Sequence, residues 1–138
     1  MIAFLDSSVV LRLVFGEAAP LDVRSKIDTA FASRLLTVEV GRVIDRARLA
    51  GDIDDVRVEK LHRELRGIFP ALELIELTNA VLARAAGPMP TVLGALDAIH
   101  LATALELRAE LDEPLVLATH DAQLARAARA SGLDVVGA

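Results

Sequence analysis

Four carboxylates in this chain stand at positions where side chains could do chemistry. Asp6 closes the apolar run Ile2 to Leu5, and Asp121 follows the apolar run Leu115 to Ala118. Asp97 lies near the start of the almost wholly apolar stretch Leu93 to Leu107, with His100 three residues further on. Glu39 sits in a segment where Val40, Val43, Ile44 and Ala47 recur at helical spacing. Four carboxylates sharing one cleft repel one another unless some are protonated or cations lie between them. With no cysteine in the chain, such a cluster offers only hard oxygen ligands, which suit Mg²⁺ or Mn²⁺. Those ions, alone or paired, activate water and stabilise the leaving oxygen in phosphodiester hydrolysis.

Each carboxylate also has an ordinary structural role. Asp97 can cap its helix and complement the positive end of the helix dipole. Asp6 can be a turn residue with Ser7 or Ser8 capping the helix that follows, and Asp121 can be an N-cap. Glu39 can be a solvated partner of Arg42 or Arg46, worth little to stability. Which role applies depends on the elements that carry them.

Short apolar runs alternate with helical patterns throughout. Strands are predicted at Ile2 to Leu5, Ala30 to Ser33, Leu72 to Leu77, Leu115 to Ala118 and near Val135-Val136. Helices are predicted over Val9 to Phe15, Leu21 to Thr29 (with Pro20 suited to its first turn), Leu36 to Ala50, Asp52 to Arg66, Asn79 to Ala86, Leu93 to Leu107 and Ala122 to Ala130. Gly51 and Gly132 punctuate two of them. This alternation predicts an α/β fold: a short parallel sheet of four to five strands with helices on both faces. Right-handed crossovers then bring the carboxyl ends of neighbouring strands to one edge, and Asp6 and Asp121 with them. Asp97 and Glu39, each near the start of a helix on the sheet, can reach the same edge. His62, among Lys60, Arg63 and Arg66, reads as a surface residue.

The bulk properties allow this. A chain of 138 residues, 54% hydrophobic but only 3% aromatic, makes one domain (1–138) with an Ala, Leu, Val and Ile core. No apolar run approaches the ~20 residues of a membrane span. Asp6 breaks the N-terminal apolar run and no basic region precedes it, unlike a signal peptide, so a cytoplasmic protein is expected. Fifteen Lys and Arg against 20 Asp and Glu leave a net charge of −5. That argues against a simple phosphate-backbone binder, but not against an enzyme that meets phosphates through cations held by carboxylates.

Four segments in order carry a resemblance: LDSS (Leu5 to Ser8), TVEVGRVI (Thr37 to Ile44), LDAIHLATA (Leu96 to Ala104) and ATHDAQLARAARASGL (Ala118 to Leu133). Together they resemble a PIN domain and, more narrowly, VapC, the ribonuclease toxin of bacterial and archaeal toxin–antitoxin pairs. The resemblance spans essentially the whole chain. It implies a PIN-like fold and a Mg²⁺- or Mn²⁺-dependent endoribonuclease that cuts structured RNA, tRNA or ribosomal RNA, and blocks translation. It implies Asp6 and Asp97 as principal metal ligands, Glu39 as a ligand or as the residue orienting the attacking water, and Asp121 acting directly or through a metal-bound water. Ser8 and Thr119 fall beside the first and last carboxylates as hydrogen-bonding supports. His100 is implied to pack or to support rather than to ligate. A VapB-like antitoxin is the implied partner, with a homodimer and a hetero-tetramer or larger assembly; the apolar helix Val9 to Phe15 would suit a partner surface.

Two other functions fit parts of the pattern. A PIN nuclease of RNA maturation or decay would have the same site without the toxin role. A receiver-like or flavodoxin-like module would want a lysine by the acidic pocket or a Gly-rich phosphate loop, yet Lys26 and Lys60 stand at no strand end. Replacing Asp6 or Asp97 by Ala is expected to abolish cleavage while leaving the fold intact.

Overall fold

Parallel strands cannot be joined by a tight turn, so each must be followed by a crossover long enough to hold a helix. The computed structural model, which describes residues 1–17 and 23–138, is built in this way. Strands β1 (Ile2–Leu5), β2 (Thr29–Ser33), β3 (Glu73–Ile75), β4 (Leu115–Ala118) and β5 (Asp134–Val136) form one all-parallel sheet in the order β3-β2-β1-β4-β5. The crossovers carry helices α1 (Ser7–Phe15), α2 (Val23–Lys26), α3 (Leu35–Leu49), α4 (Asp55–Ile68), α5 (Asn79–Ala86), α6 (Ala95–Glu110) and α7 (Ala122–Ala130).

The two faces of the sheet follow from the period-two alternation of the strands. Phe4, Phe31, Leu115 and Leu117 point to one side and pack with Leu101, Ala104 and Leu107 of α6 and Leu124, Ala127 and Ala128 of α7. On the other side, Ala32 packs with Val10 and Val14 of α1, Leu36, Val40 and Ile44 of α3, and Leu61 and Leu65 of α4. Ala3, Leu5 and Ala118 cluster with Val9 of α1 on this side. Small residues in the strands let α1 come close, so Val9, Val10 and Val14 are spent on this chain's own core. Of the apolar residues in Val9 to Phe15, Leu11, Leu13 and Phe15 keep partly exposed surface.

Several boundaries differ from the sequence expectation for identifiable reasons. Asp54, not Asp52, starts α4, because its carboxylate accepts from the Arg57 amide at 2.8 Å. A 3₁₀ turn over Phe69–Ala71, with Pro70 in it, shortens β3 to three residues, and Thr78 then caps α5 by accepting from the Val81 amide. In the predicted helix Leu21 to Thr29, Pro20, Leu21 and Asp22 lie outside the described residues, and the described part is helical only to Lys26, with Thr29 already in β2. His62 is exposed on α4, as read.

The sheet order decides where the chemistry goes. From β1 the chain first adds strands on one side and later returns to the other, so a topological switch point lies between β1 and β4. The helices leaving these strands, α1 and α7, pass to opposite faces and open a crevice at their carboxyl ends. The order also differs from the 2-1-3-4-5 order of receiver and flavodoxin sheets, which sets that reading aside. Among the described residues, no helix is long and apolar enough to cross a membrane.

Candidate active site

Asp6 occupies the switch point. It follows β1, is 3% exposed, and takes the N-cap position of α1 that the sequence could equally assign to Ser7 or Ser8. Its Oδ1 accepts from the Ser7 amide (2.7 Å) and Ser7 Oγ (3.3 Å). Its Oδ2 accepts from the Ser8 amide (3.3 Å), Ser8 Oγ (2.6 Å) and Thr119 Oγ1 (2.9 Å). Such a set of donors holds a carboxylate in one orientation and compensates its burial.

The partners on β4 complete a small polar network. Thr119, buried at the end of β4, also accepts from the Asp121 amide (2.9 Å). Ser8 Oγ accepts from the His120 amide (2.9 Å). One threonine hydroxyl thus links the backbone around Asp121 to the Asp6 side chain, across the crevice between α1 and α7. Asp121 is the N-cap of α7, and both cap bonds, from the Gln123 (2.8 Å) and Leu124 (2.9 Å) amides, fall on Oδ1. Oδ2 takes no part in the cap, so the structural role and a role in the crevice are compatible.

Asp97 and Glu39 arrive from helices that run antiparallel to the strands and begin or turn at the same edge. Helix α6 starts at Gly94 without any side-chain cap, so Asp97, in its first turn, is not committed to capping. Burial raises the Asp97 carboxyl above its usual value, and the charges of Asp121, Asp6 and Glu39 raise it further against the opposing pull of His100. A carboxylate that feels all three others shares their electrostatic field. Glu39, in the second turn of α3, meets the ring of His100, whose Nε2 donates to Glu39 Oε1. The same Nε2 lies 3.8 Å from Asp6 Oδ1. His100 is fully buried. Burial alone would lower its pKa, but the hydrogen bond and charge of Glu39, then Asp6 and Asp97, outweigh it and the net shift is upward.

Asp6, Glu39, Asp97 and Asp121 are therefore gathered at one edge, with Ser8 and Thr119 beside the first and last of them. Their donor chemistry, oxygen only, fits a hard divalent cation. Yet among the described residues no three Asp, Glu or His side chains stand in an arrangement already shaped around an ion: Glu39 is tied to His100 and Asp6 Oδ2 to two hydroxyls. Two contributors escape a reading of the sequence. The Ser7 hydroxyl and the Thr119–Asp121 link depend on rotamers that no spacing reveals. The His100–Glu39 bond has a partial signal, since Asp97 and His100 at i and i+3 share a helix side.

Gly137 is a third. It adopts φ +96°, and a Cβ there would lie 2.6 Å from the Thr119 carbonyl oxygen. The β5 end thus passes directly over Thr119, whose amide donates to Val136 O. Gly137→Ala is expected to cost about 1–3 kcal/mol through left-handed strain and this contact, with faster hydrogen exchange at the Thr119 amide. Unchanged melting and exchange would show that the tail does not brace Thr119.

Comparison with known proteins agrees with the fold. The PIN domain family model matches residues 3–130. Ribonuclease VapC46 of Mycobacterium tuberculosis is 31% identical, covering 96% of this chain and 95% of its own length. Ribonuclease VapC47 of the same species is 27% identical, over 94% and 91%. Among solved structures, VapBC2 from Rickettsia felis, bound to a DNA fragment from its promoter, gives a TM-score of 0.68 at 14% identity, covering 98% of this chain and 97% of that one. A toxin–antitoxin complex from Klebsiella pneumoniae gives 0.67 at 19% identity, over 97% and 95%. At these identities the structural likeness speaks for the fold alone. The family match over nearly the whole chain and the full-length relative speak for more: this chain belongs to the PIN-domain family, among its VapC-type ribonucleases.

Proposed function

We propose that the chain is a metal-dependent endoribonuclease acting as the toxin of a toxin–antitoxin pair, with Asp6, Glu39, Asp97 and Asp121 as its catalytic and metal-binding carboxylates. The observation that carries this is the convergence of four carboxylates on one sheet edge, Asp6 linked through Thr119 to Asp121 and through the His100 ring to Glu39, where burial and the charges of the other three raise the Asp97 carboxyl. A group that holds a proton against its ordinary preference is one that a cation would satisfy instead. Asp6 and Asp97 would hold Mg²⁺ or Mn²⁺, with Glu39 and Asp121 completing the oxygen set. The bound ion would neutralise phosphate charge and make water a nucleophile at neutral pH.

What the protein contributes is orientation. Five hydrogen bonds fix Asp6 at the switch point, and the amide pair of α7 fixes Asp121. Ser8 and Thr119 serve as donors to a carboxylate, not as nucleophiles. A net charge of −5 suits recognition of RNA through cations and local contacts better than through a basic groove.

The structural neighbours, VapBC2 from Rickettsia felis and a toxin–antitoxin complex from Klebsiella pneumoniae, support a VapB-like antitoxin as partner, and the chain is read as a cytoplasmic homodimer in that assembly. A groove of about 320 Å³ lined by Leu5, Val10, Leu13, Ile27, Ile68 and Leu72 is the apolar surface such a partner would cover.

Expression without a partner is expected to arrest growth within one or two generations, and RNA ends mapped after brief induction should cluster at one or a few sites in tRNA or ribosomal RNA. Normal growth with soluble protein that still cuts RNA in vitro would favour a nuclease of RNA maturation instead. Wild-type protein unable to cut any RNA with Mg²⁺ or Mn²⁺ would refute the enzymatic reading.

A further inference from the structure

Among the described residues, His100 is the one fully buried titratable side chain facing the carboxylates, and the mechanism above gives it nothing to do. Its Nε2 points into the cluster, onto Glu39 Oε1 and near Asp6 Oδ1, while its Nδ1 is buried with no hydrogen-bond partner. A histidine kept only for packing would gain by becoming leucine, because a buried nitrogen without a partner loses its hydration for nothing. The ring therefore needs a reason to remain polar, and among the described residues the one within hydrogen-bonding distance is Glu39. The contact spans both faces of the sheet: Glu39 rides on α3, packed on the α1 side, and His100 on α6, packed on the α7 side. A glutamate has three rotatable side-chain bonds, and at 16% side-chain exposure it has solvent available to swing into.

We propose that His100 is the positioning residue for Glu39: its Nε2–H holds Oε1, so that the second oxygen of Glu39 is presented to the cation or water gathered by Asp6 and Asp97. This rests on the acidic-site reading above and assigns no ligand role to the histidine. It is the arrangement in which a ligating carboxylate is itself oriented by a hydrogen bond from behind. The unpaired Nδ1 is an acceptor lone pair in that tautomer, a smaller burden than an unpaired N–H donor would be.

The test uses full-length protein and Mn²⁺ as probe, titrated by electron paramagnetic resonance. His100→Leu removes the donor while filling the same space; His100→Gln places an amide nitrogen where Nε2 was. Manganese affinity is expected to fall roughly ten- to a hundredfold in His100→Leu and to recover to within a few-fold of wild type in His100→Gln. In metal-free wild-type protein, nitrogen-15 NMR is expected to show a slowly exchanging, downfield His100 ring proton that moves upfield in Glu39→Gln, a readout that survives even if His100→Leu does not fold. Equal Mn²⁺ affinity in wild type and His100→Leu would overturn the proposal alone, as would Gln behaving like Leu or a ring proton indifferent to Glu39. Wild-type protein binding Mn²⁺ no better than Asp6→Asn would instead bring down the acidic-site reading, and this proposal with it.

Discussion

Asp97→Asn protein is expected to lose Mg²⁺- or Mn²⁺-dependent RNA cleavage by a factor on the order of 10²–10⁴, and yet to melt a few degrees higher than wild type in metal-free buffer at neutral pH. Both effects have one cause. In the proposed site Asp97 would meet a cation, and without one its charge is held against burial and against Asp121, Asp6 and Glu39. The sign follows from linkage. With the folded pKa raised, the native state binds the proton more tightly than the unfolded chain does, so stability falls as pH rises between the two values. The penalty is absent below the unfolded value of 3.8 and complete above the raised folded one. Asparagine removes it, so the gap between the two melting curves should open with rising pH, by roughly 2–5 °C at neutrality for a chain of this size. Added Mn²⁺ should close the gap by stabilising only the wild type. A variant that cleaves RNA normally, or melts lower than wild type at every pH, would remove Asp97 from the site.

Asp6→Ala is expected to be equally inactive but to lose stability, by about 2–4 kcal/mol. Expectation from sequence treats Asp6 and Asp97 alike, as charges whose removal leaves the fold intact. The structure separates them. Asp97 caps nothing, whereas Asp6 is the N-cap of α1 and accepts from Ser7, Ser8 and Thr119. Truncation leaves those buried donors unpaired, and loosens the link from Thr119 to the Asp121 amide. Asp6→Asn, which keeps one carbonyl oxygen for the cap, should recover most of the stability and none of the cleavage. Urea denaturation of the three proteins checks this; an Asp6→Ala midpoint equal to wild type would mean that the hydrogen-bond set contributes nothing net.

The opposite stabilities of two acids only 91 positions apart in one chain show where sequence reading stops. The alternation of apolar runs and helical patterns determined an α/β chain with a parallel sheet, because strands buried on both faces must be apolar throughout and their crossovers must be helices. It also determined that Asp6 and Asp121 follow strands, since the apolar run simply ends there. The four ordered segments around Asp6, Glu39, Asp97 and Asp121 were enough to point to the PIN family. Composition excluded thiolate chemistry outright.

Tertiary structure alone decided the rest. Strand order cannot be read from a chain whose strands are equally apolar, yet that order puts the switch point between β1 and β4 and so pairs Asp6 with Thr119. Whether an acid caps a helix, joins the cluster or does both depends on individual oxygens: Asp121 commits Oδ1 to the cap, Asp6 commits both oxygens, and Asp97 commits neither. The bond from His100 to Glu39 spans 61 positions and joins helices on opposite faces of the sheet. Local periodicity reports which side of its own helix a residue occupies; which side chain it meets across the crevice is set by how those helices dock.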